Sequence, residues 1–189
     1  MNHRAALFVA GVAFLMTGLD AQPADAPHVS LVPWKIIQPG ENLRAPLVLF
    51  WVPGSPEELR RSDLLTSDEL TFFSSRCVAM RVVRSDDRAT LDQLAVDEEL
   101  PAAILADADG TVLARGDARR IAEVEEMVRV ELDRRMSEAD ERLDDAREKA
   151  DAGETGAAVE IYRSVWDQRC VCPRQGRDAQ RALKKLKSR

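Results

Sequence analysis

The sequence predicts an α/β fold, and three stretches carry that expectation. Leu47-Val48-Leu49-Phe50-Trp51-Val52 is wholly apolar, the pattern of a central strand covered on both faces. Leu100-Pro101 leads a second apolar run, Ala102-Ala103-Ile104-Leu105, which ends at the turn Asp107-Ala108-Asp109-Gly110 and returns as Thr111-Val112-Leu113-Ala114, a hairpin signature. Behind these strands the apolar spacing changes to the helical period, most clearly at Ile121, Val124, Val128 and Leu132.

At the N-terminus, Asn2-His3-Arg4 precedes the apolar run Ala5 to Leu19, which is too short and too abruptly ended for a membrane span. Residues 1–21 therefore read as a secretory signal peptide cleaved after Leu19-Asp20-Ala21, with a retained membrane anchor as the other reading. Residues 22–45 hold Pro23, Pro27, Pro33, Pro39 and Gly40 and read as a proline-rich linker with one short strand, Trp34 to Gln38. Trp34 is expected to pack on the edge of the domain that follows, residues 46–136.

Within that domain Pro53, Gly54 and Pro56 end the first strand and start a helix, with Ser55 as N-cap, Pro56 at the first helical position and Glu57 and Glu58 on the favourable end of the dipole. Ser67-Asp68-Glu69-Leu70 is a second helix start, with Leu70, Phe72 and Phe73 expected in the core. Arg76 to Val83 reads as a half-buried strand in which Cys77 is a small apolar filler. Ser85-Asp86-Asp87 opens a helix carrying Leu91, Leu94 and Ala95, and Arg119 to Met136 closes the domain as an amphipathic helix.

Residues 137–189 differ in character. Ser137 to Ala152 is charged and helical in propensity, Gly153 interrupts it, and Thr155 to Trp166 resumes with Ala158, Val159, Tyr162 and Val165 on one face. Gly153-Glu154, Ala158-Val159 and Tyr162, with Ala146 upstream, resemble one tetratricopeptide-type helical hairpin. A lone hairpin of that kind cannot bury its apolar face, so it is expected to dock on the preceding domain or on a partner. From Arg169 to Arg189 eight basic residues stand against Asp178 alone, with helical spacing through Ala179, Leu183 and Leu186. This basic helix can meet an acidic protein, lipid headgroups or the acidic 138–154 segment of its own chain.

The order of strand, helical stretch, second strand, proline-led strand and Asp-Gly hairpin over about residues 45 to 132 resembles the thioredoxin fold. The resemblance implies a three-layer α/β/α domain with an all-helical C-terminal extension. Thioredoxin-like oxidoreductases place a Cys-x-x-Cys pair just after the first of these strands, where the helix dipole lowers the thiol pKa. Here Ser55-Pro56-Glu57-Glu58 stands in that place: counting from Phe50 without gaps puts Ser55 and Glu58 on the cysteine positions. In that family the proline corresponding to Pro101 is cis and exposes backbone for an extended peptide. The resemblance thus implies a redox-inactive surface around Trp51, Pro53, Ser55, Glu58, Leu100 and Pro101 that binds a protein or extended peptide.

Composition narrows the remaining chemistry. The net charge of −6 argues against general nucleic-acid binding, and no glycine-rich phosphate loop, metal-ligand cluster or nucleophile-base-acid set is present, so neither a cofactor nor a metal is expected. Membrane association is expected only if the signal segment is retained. Export to a periplasmic or extracellular space gives the three cysteines weight, because disulfides persist there. Cys170 and Cys172, in Cys170-Val171-Cys172-Pro173, can close a strained loop, bind a soft metal or exchange disulfides, and they are the residues on which a thiol-disulfide oxidoreductase would rest.

Overall fold

A computed structural model describes residues 31–38, 41, 45–96 and 100–187. The signal-peptide reading, residues 1–21, and most of the linker lie outside the described residues. The elements run β1 (Lys35–Ile36), β2 (Leu47–Val52), α1 (Glu58–Arg61), α2 (Asp68–Ser75), β3 (Val78–Val82), α3 (Arg88–Gln93), β4 (Ala102–Asp107), β5 (Val112–Asp117), α4 (Ile121–Asp151), α5 (Thr155–Asp167) and α6 (Pro173–Lys187). The strands form one mixed sheet in the order β1-β3-β2-β4-β5; β3 is parallel to both β1 and β2, and β4 is antiparallel to both β2 and β5.

Strand β2 is buried along its whole length, as its apolar run requires. Leu47, Leu49 and Trp51 face one side with Met80, Val82, Ala103 and Leu105, under α2 and α4; Val48, Phe50 and Val52 face the other with Val83, Ile104 and Ala106, under α3. Helices therefore cover both faces of the sheet. Two side-chain caps set helix starts: Ser67 Oγ accepts from Leu70 N–H at 2.9 Å, and Asp87 Oδ1 accepts from Thr90 N–H at 3.2 Å. Phe72, expected in the core, is instead 55 % exposed, because α2 turns Leu70 and Phe73 inward and leaves Phe72 on its outer side.

The described stretch of the linker from Val32 to Gln38 is part of the domain. Val32 N–H donates to Leu65 O at 3.0 Å, and Trp34 Nε1 donates to Leu64 O at 2.7 Å. Helix α1 is shorter than its start signals imply, four residues, with Ser55 to Glu57 in the turn before it.

Helix α4 runs through residues 136 and 137 without a break, so the sheet and the tail share one 31-residue helix rather than meeting at a joint. Val124, Val128 and Leu132 hold its first half on the sheet, while Ala139, Leu143 and Ala146 hold its second half on α5 and α6, all within one continuous core. Near its middle the buried Glu131 accepts from Arg134 and Arg135, each at 2.7 Å. Burial disfavours its ionised form, yet the two guanidiniums outweigh that and hold its pKa below the usual carboxylate value. The helix ends at Gly153, whose φ of +83° is open to glycine at low cost; Gly153 N–H bonds Ala150 O and Glu154 N–H bonds Lys149 O, satisfying the last carbonyls.

Candidate functional site

The loop after β2 and the chain entering β4 meet at one end of the sheet, where Val52 pairs with Ala102. Gly54 N–H donates to Glu58 Oε2 at 2.9 Å and Glu58 N–H donates to Ser55 Oγ at 3.3 Å, so the Ser55 hydroxyl and the Glu58 carboxylate each accept a backbone N–H and together shape the turn into α1. A Cβ on Gly54 would lie 3.5 Å from Pro101 N and 3.6 Å from Leu100 C, which places the loop backbone directly against the Leu100–Pro101 peptide. That peptide is cis. Pro101 O accepts from Ala118 N–H at 3.2 Å, whereas the backbone of Leu100 forms no hydrogen bond with another described residue.

The six residues expected to form a binding surface are thus gathered at one place, but they do not share one role. Gly54, Ser55, Pro56 and Glu57 are exposed, and Glu58 and Leu100 are half-buried. Trp51 is fully buried, as are Pro53 and Pro101 to within a small fraction. Trp51 cannot touch a partner, because it shares the α2/α4 face with Leu47 and Leu49, stands opposite the small Ala103, and meets the Trp34 ring edge-on at 5.4 Å. It supports the loop from below. Its Nε1 finds no acceptor among the described residues.

Two concavities flank the loop. One, of about 350 Å³, is lined by Ile36, Pro53, Pro56, Leu59, Val82 and Arg84. The other, of about 360 Å³, lies beside Leu100 and Pro101 and is walled by Val96, Arg115, Gly116 and Asp117. Arg115 bonds Leu94 O at 2.6 Å and Ala95 O at 2.8 Å, tying the end of α3 to β5 and shaping this wall. Hydrogen bonds from Arg119 bring the Asp117 carboxyl down to about 2, so an anion lines the far rim at any neutral pH. Neither Arg115 nor Gly116 carries a local sequence signal that marks this wall.

The cysteines are at the other end of the sheet. Cys77 precedes β3, whose first residue Val78 pairs with Leu47, while the loop site follows the last residue of β2. The five steps from Leu47 to Val52, at about 3.3 Å each, separate the two ends by roughly 17 Å. Cys77 is no apolar filler: it forms a disulfide with Cys170, at φ +59° after α2. Cys170 therefore does not pair with Cys172, which is fully buried among the tail helices, and burial pushes its thiol pKa up. Beside the bridge, Arg76 Nη2 donates to Val171 O at 2.7 Å while its guanidinium lies 5.8 Å from the Phe72 ring.

Among the described residues no group of three or more His, Cys, Asp or Glu side chains is placed to hold a metal ion, and no helix is long and apolar enough to cross a membrane. The fold and site define a mixed α/β sheet protein with helices on both faces, a helical C-terminal part and a thiol-free loop site. No protein-family model matches the chain, and comparison with curated proteins finds no similar sequence.

Proposed function

We propose that the chain is an exported, thioredoxin-like protein without a redox pair, which binds an extended segment of a partner protein at Gly54, Ser55 and Leu100. The observation that carries this reading is the contact between the Gly54 backbone and the Leu100–Pro101 peptide, with Ser55 exposed above it. An extended segment laid across that contact meets the backbone of Leu100, while the concavity walled by Val96 and Gly116 receives a side chain. The Ser55–Glu58 pair occupies the positions where the resemblance expects two thiols, and a serine hydroxyl without a neighbouring base does not ionise at neutral pH. Binding, not disulfide exchange, is what such a site can do.

Export is supported by the basic start and apolar run of residues 2–19 and by the Cys77–Cys170 bridge, which suits an oxidising compartment. The thiol-disulfide oxidoreductase reading loses support for a stated reason: Cys170 is engaged with Cys77 and Cys172 is a buried thiol with a raised pKa, both far from Pro101.

Selection of displayed peptides on the immobilised protein tests the proposal. Ala102 is half-buried and lines that concavity on the same face as Ile104, so Ala102→Phe adds a ring to it. Combined with Ser55→Arg it is expected to weaken binding of the selected peptides at least tenfold. Unchanged peptide binding sinks the reading. Insulin reduction with dithiothreitol, run in parallel, is expected to show no catalysis; activity that disappears in a Cys170→Ser, Cys172→Ser variant returns the oxidoreductase reading.

A further inference from the structure

Helix α6 carries four cations, Arg174, Arg177, Lys184 and Lys187, that meet no carboxylate among the described residues. Arg174, Arg177, Arg181 and Lys184 recur at steps of three and four residues and share one face, while Gln175, Gly176 and Ala179 are buried on the opposite face beside the half-buried Leu183 and Leu186. Arg174, Arg177, Lys184 and Lys187 are exposed, and none forms an ion pair with a described residue; Arg181 meets Asp178, the one carboxylate of the helix. On α4 the pattern is different, since five of its six cations, Arg129, Arg134, Arg135, Arg147 and Lys149, each meet a carboxylate and Arg142 alone meets none among the described residues. The acidic 138–154 segment approaches α6 through Gln175 Nε2 and Asp140 Oδ2, 3.0 Å apart, not through these four cations. At the edge of the basic face Trp166 is half-buried, with the Arg169 guanidinium 4.5 Å from its ring centre, and it borders a hollow of about 220 Å³ shared with Leu183, Lys184 and Lys187.

We propose that the basic face of α6 docks the protein on an anionic lipid surface. A convex helix about 20 Å long, at 1.5 Å per residue, presents fanned-out flexible cations and no strand edge, which suits a plane of mobile phosphates better than an acidic peptide needing a groove. The half-buried indole beside the lysines is the kind of group that sits at a lipid headgroup boundary. Because the whole chain is acidic at −6, an anionic surface attracts α6 and repels the remainder, so approach is oriented. This inference does not depend on the peptide-binding reading of the loop site.

Vesicle co-sedimentation of the full chain tests it, with vesicles of phosphatidylcholine alone or with about one-third phosphatidylglycerol. The comparison protein is the triple variant Arg174→Gln, Arg177→Gln, Lys184→Gln, whose substituted side chains are exposed; a matching thermal melt confirms its fold. The apolar run of residues 5–19 is common to both proteins, so only the increment due to the anionic lipid is read. The expected result is an increment that vanishes at high salt and falls about fivefold per neutralised cation, roughly a hundredfold in the triple variant. Equal increments in both proteins, or none in the wild type, overturn the proposal. Binding of the wild type to polyglutamate but not to anionic vesicles, lost in the triple variant, also overturns it and assigns the face to an acidic protein.

Discussion

The two ends of the sheet are built from opposite chemistries. At the end where β2 stops and β4 begins, a hydroxyl and a carboxylate, Ser55 and Glu58, shape an exposed turn that rests on the Leu100–Pro101 peptide. At the other end all three cysteines gather with Arg76, and they hold a helical hairpin against the sheet. Sulfur thus serves anchoring at one end, and the loop end carries only oxygen acceptors for its own backbone. The lesson is positional: a cysteine count does not say where thiol chemistry sits, whereas the strand register places it within one residue.

Breaking the support beneath the loop has the largest expected effect. Trp51→Ala removes a fully buried indole from the central strand and leaves Trp34 without its ring partner. A loss of about 3–5 kcal/mol is expected, read as a lower urea midpoint. A loss below about 1 kcal/mol would mean that the loop end is not held from below.

The opposite end is tested by removing its bridge. The Cys77→Ala, Cys170→Ala variant opens a crosslink that spans 93 residues of sequence, and a loss of about 2–4 kcal/mol is expected. Hydrogen exchange should quicken first in α5 and α6, because the bridge and the Arg76 contact to Val171 join that hairpin to the sheet. If β2 and β4 lose protection to the same extent, the two ends form one cooperative unit and the distinction between them is architectural only.

How much of this was legible varies with the signal involved. Strand β2 matches its apolar run residue for residue because Pro46 and Pro53 bound it, and the β4–β5 turn falls at Asp109-Gly110, where Gly110 takes φ +89°. The burial of Trp51 follows from the same apolar run, covered on both faces; only the resemblance drew this residue into the binding surface. Helix α4 was read as two segments because composition turns charged after Met136, yet Ala139, Leu143 and Ala146 continue the inward face at helical spacing. The Cys77–Cys170 pairing depends on the tail folding back on the start of β3, a contact across 93 residues that no local pattern encodes. Of the candidate site, the resemblance pointed to residues 53–58 and 100–101, while Arg115 and Gly116 lie on the returning strand of its hairpin, to which it assigned no site residue.

The smallest expected effect sharpens the comparison most at the loop end. Ser55→Ala removes the acceptor for Glu58 N–H, an exposed bond of 3.3 Å, and should cost about 0.5–1 kcal/mol, at the low end for a lost cap. The Glu58 carboxylate still accepts from Gly54 N–H in that variant, so the turn is expected to persist and the selected peptides to bind within about twofold of wild type. Ser55→Ala, Glu58→Gln removes the charge as well as the hydroxyl. If the pair accepts backbone N–H groups and does nothing more, the double loss equals the stronger single loss plus a few tenths of a kcal/mol, with peptide binding following the stability of the turn. A double variant that is stable yet no longer binds would instead make the Glu58 carboxylate a direct contact for the partner, and the loop end would then be chemically active in its own right.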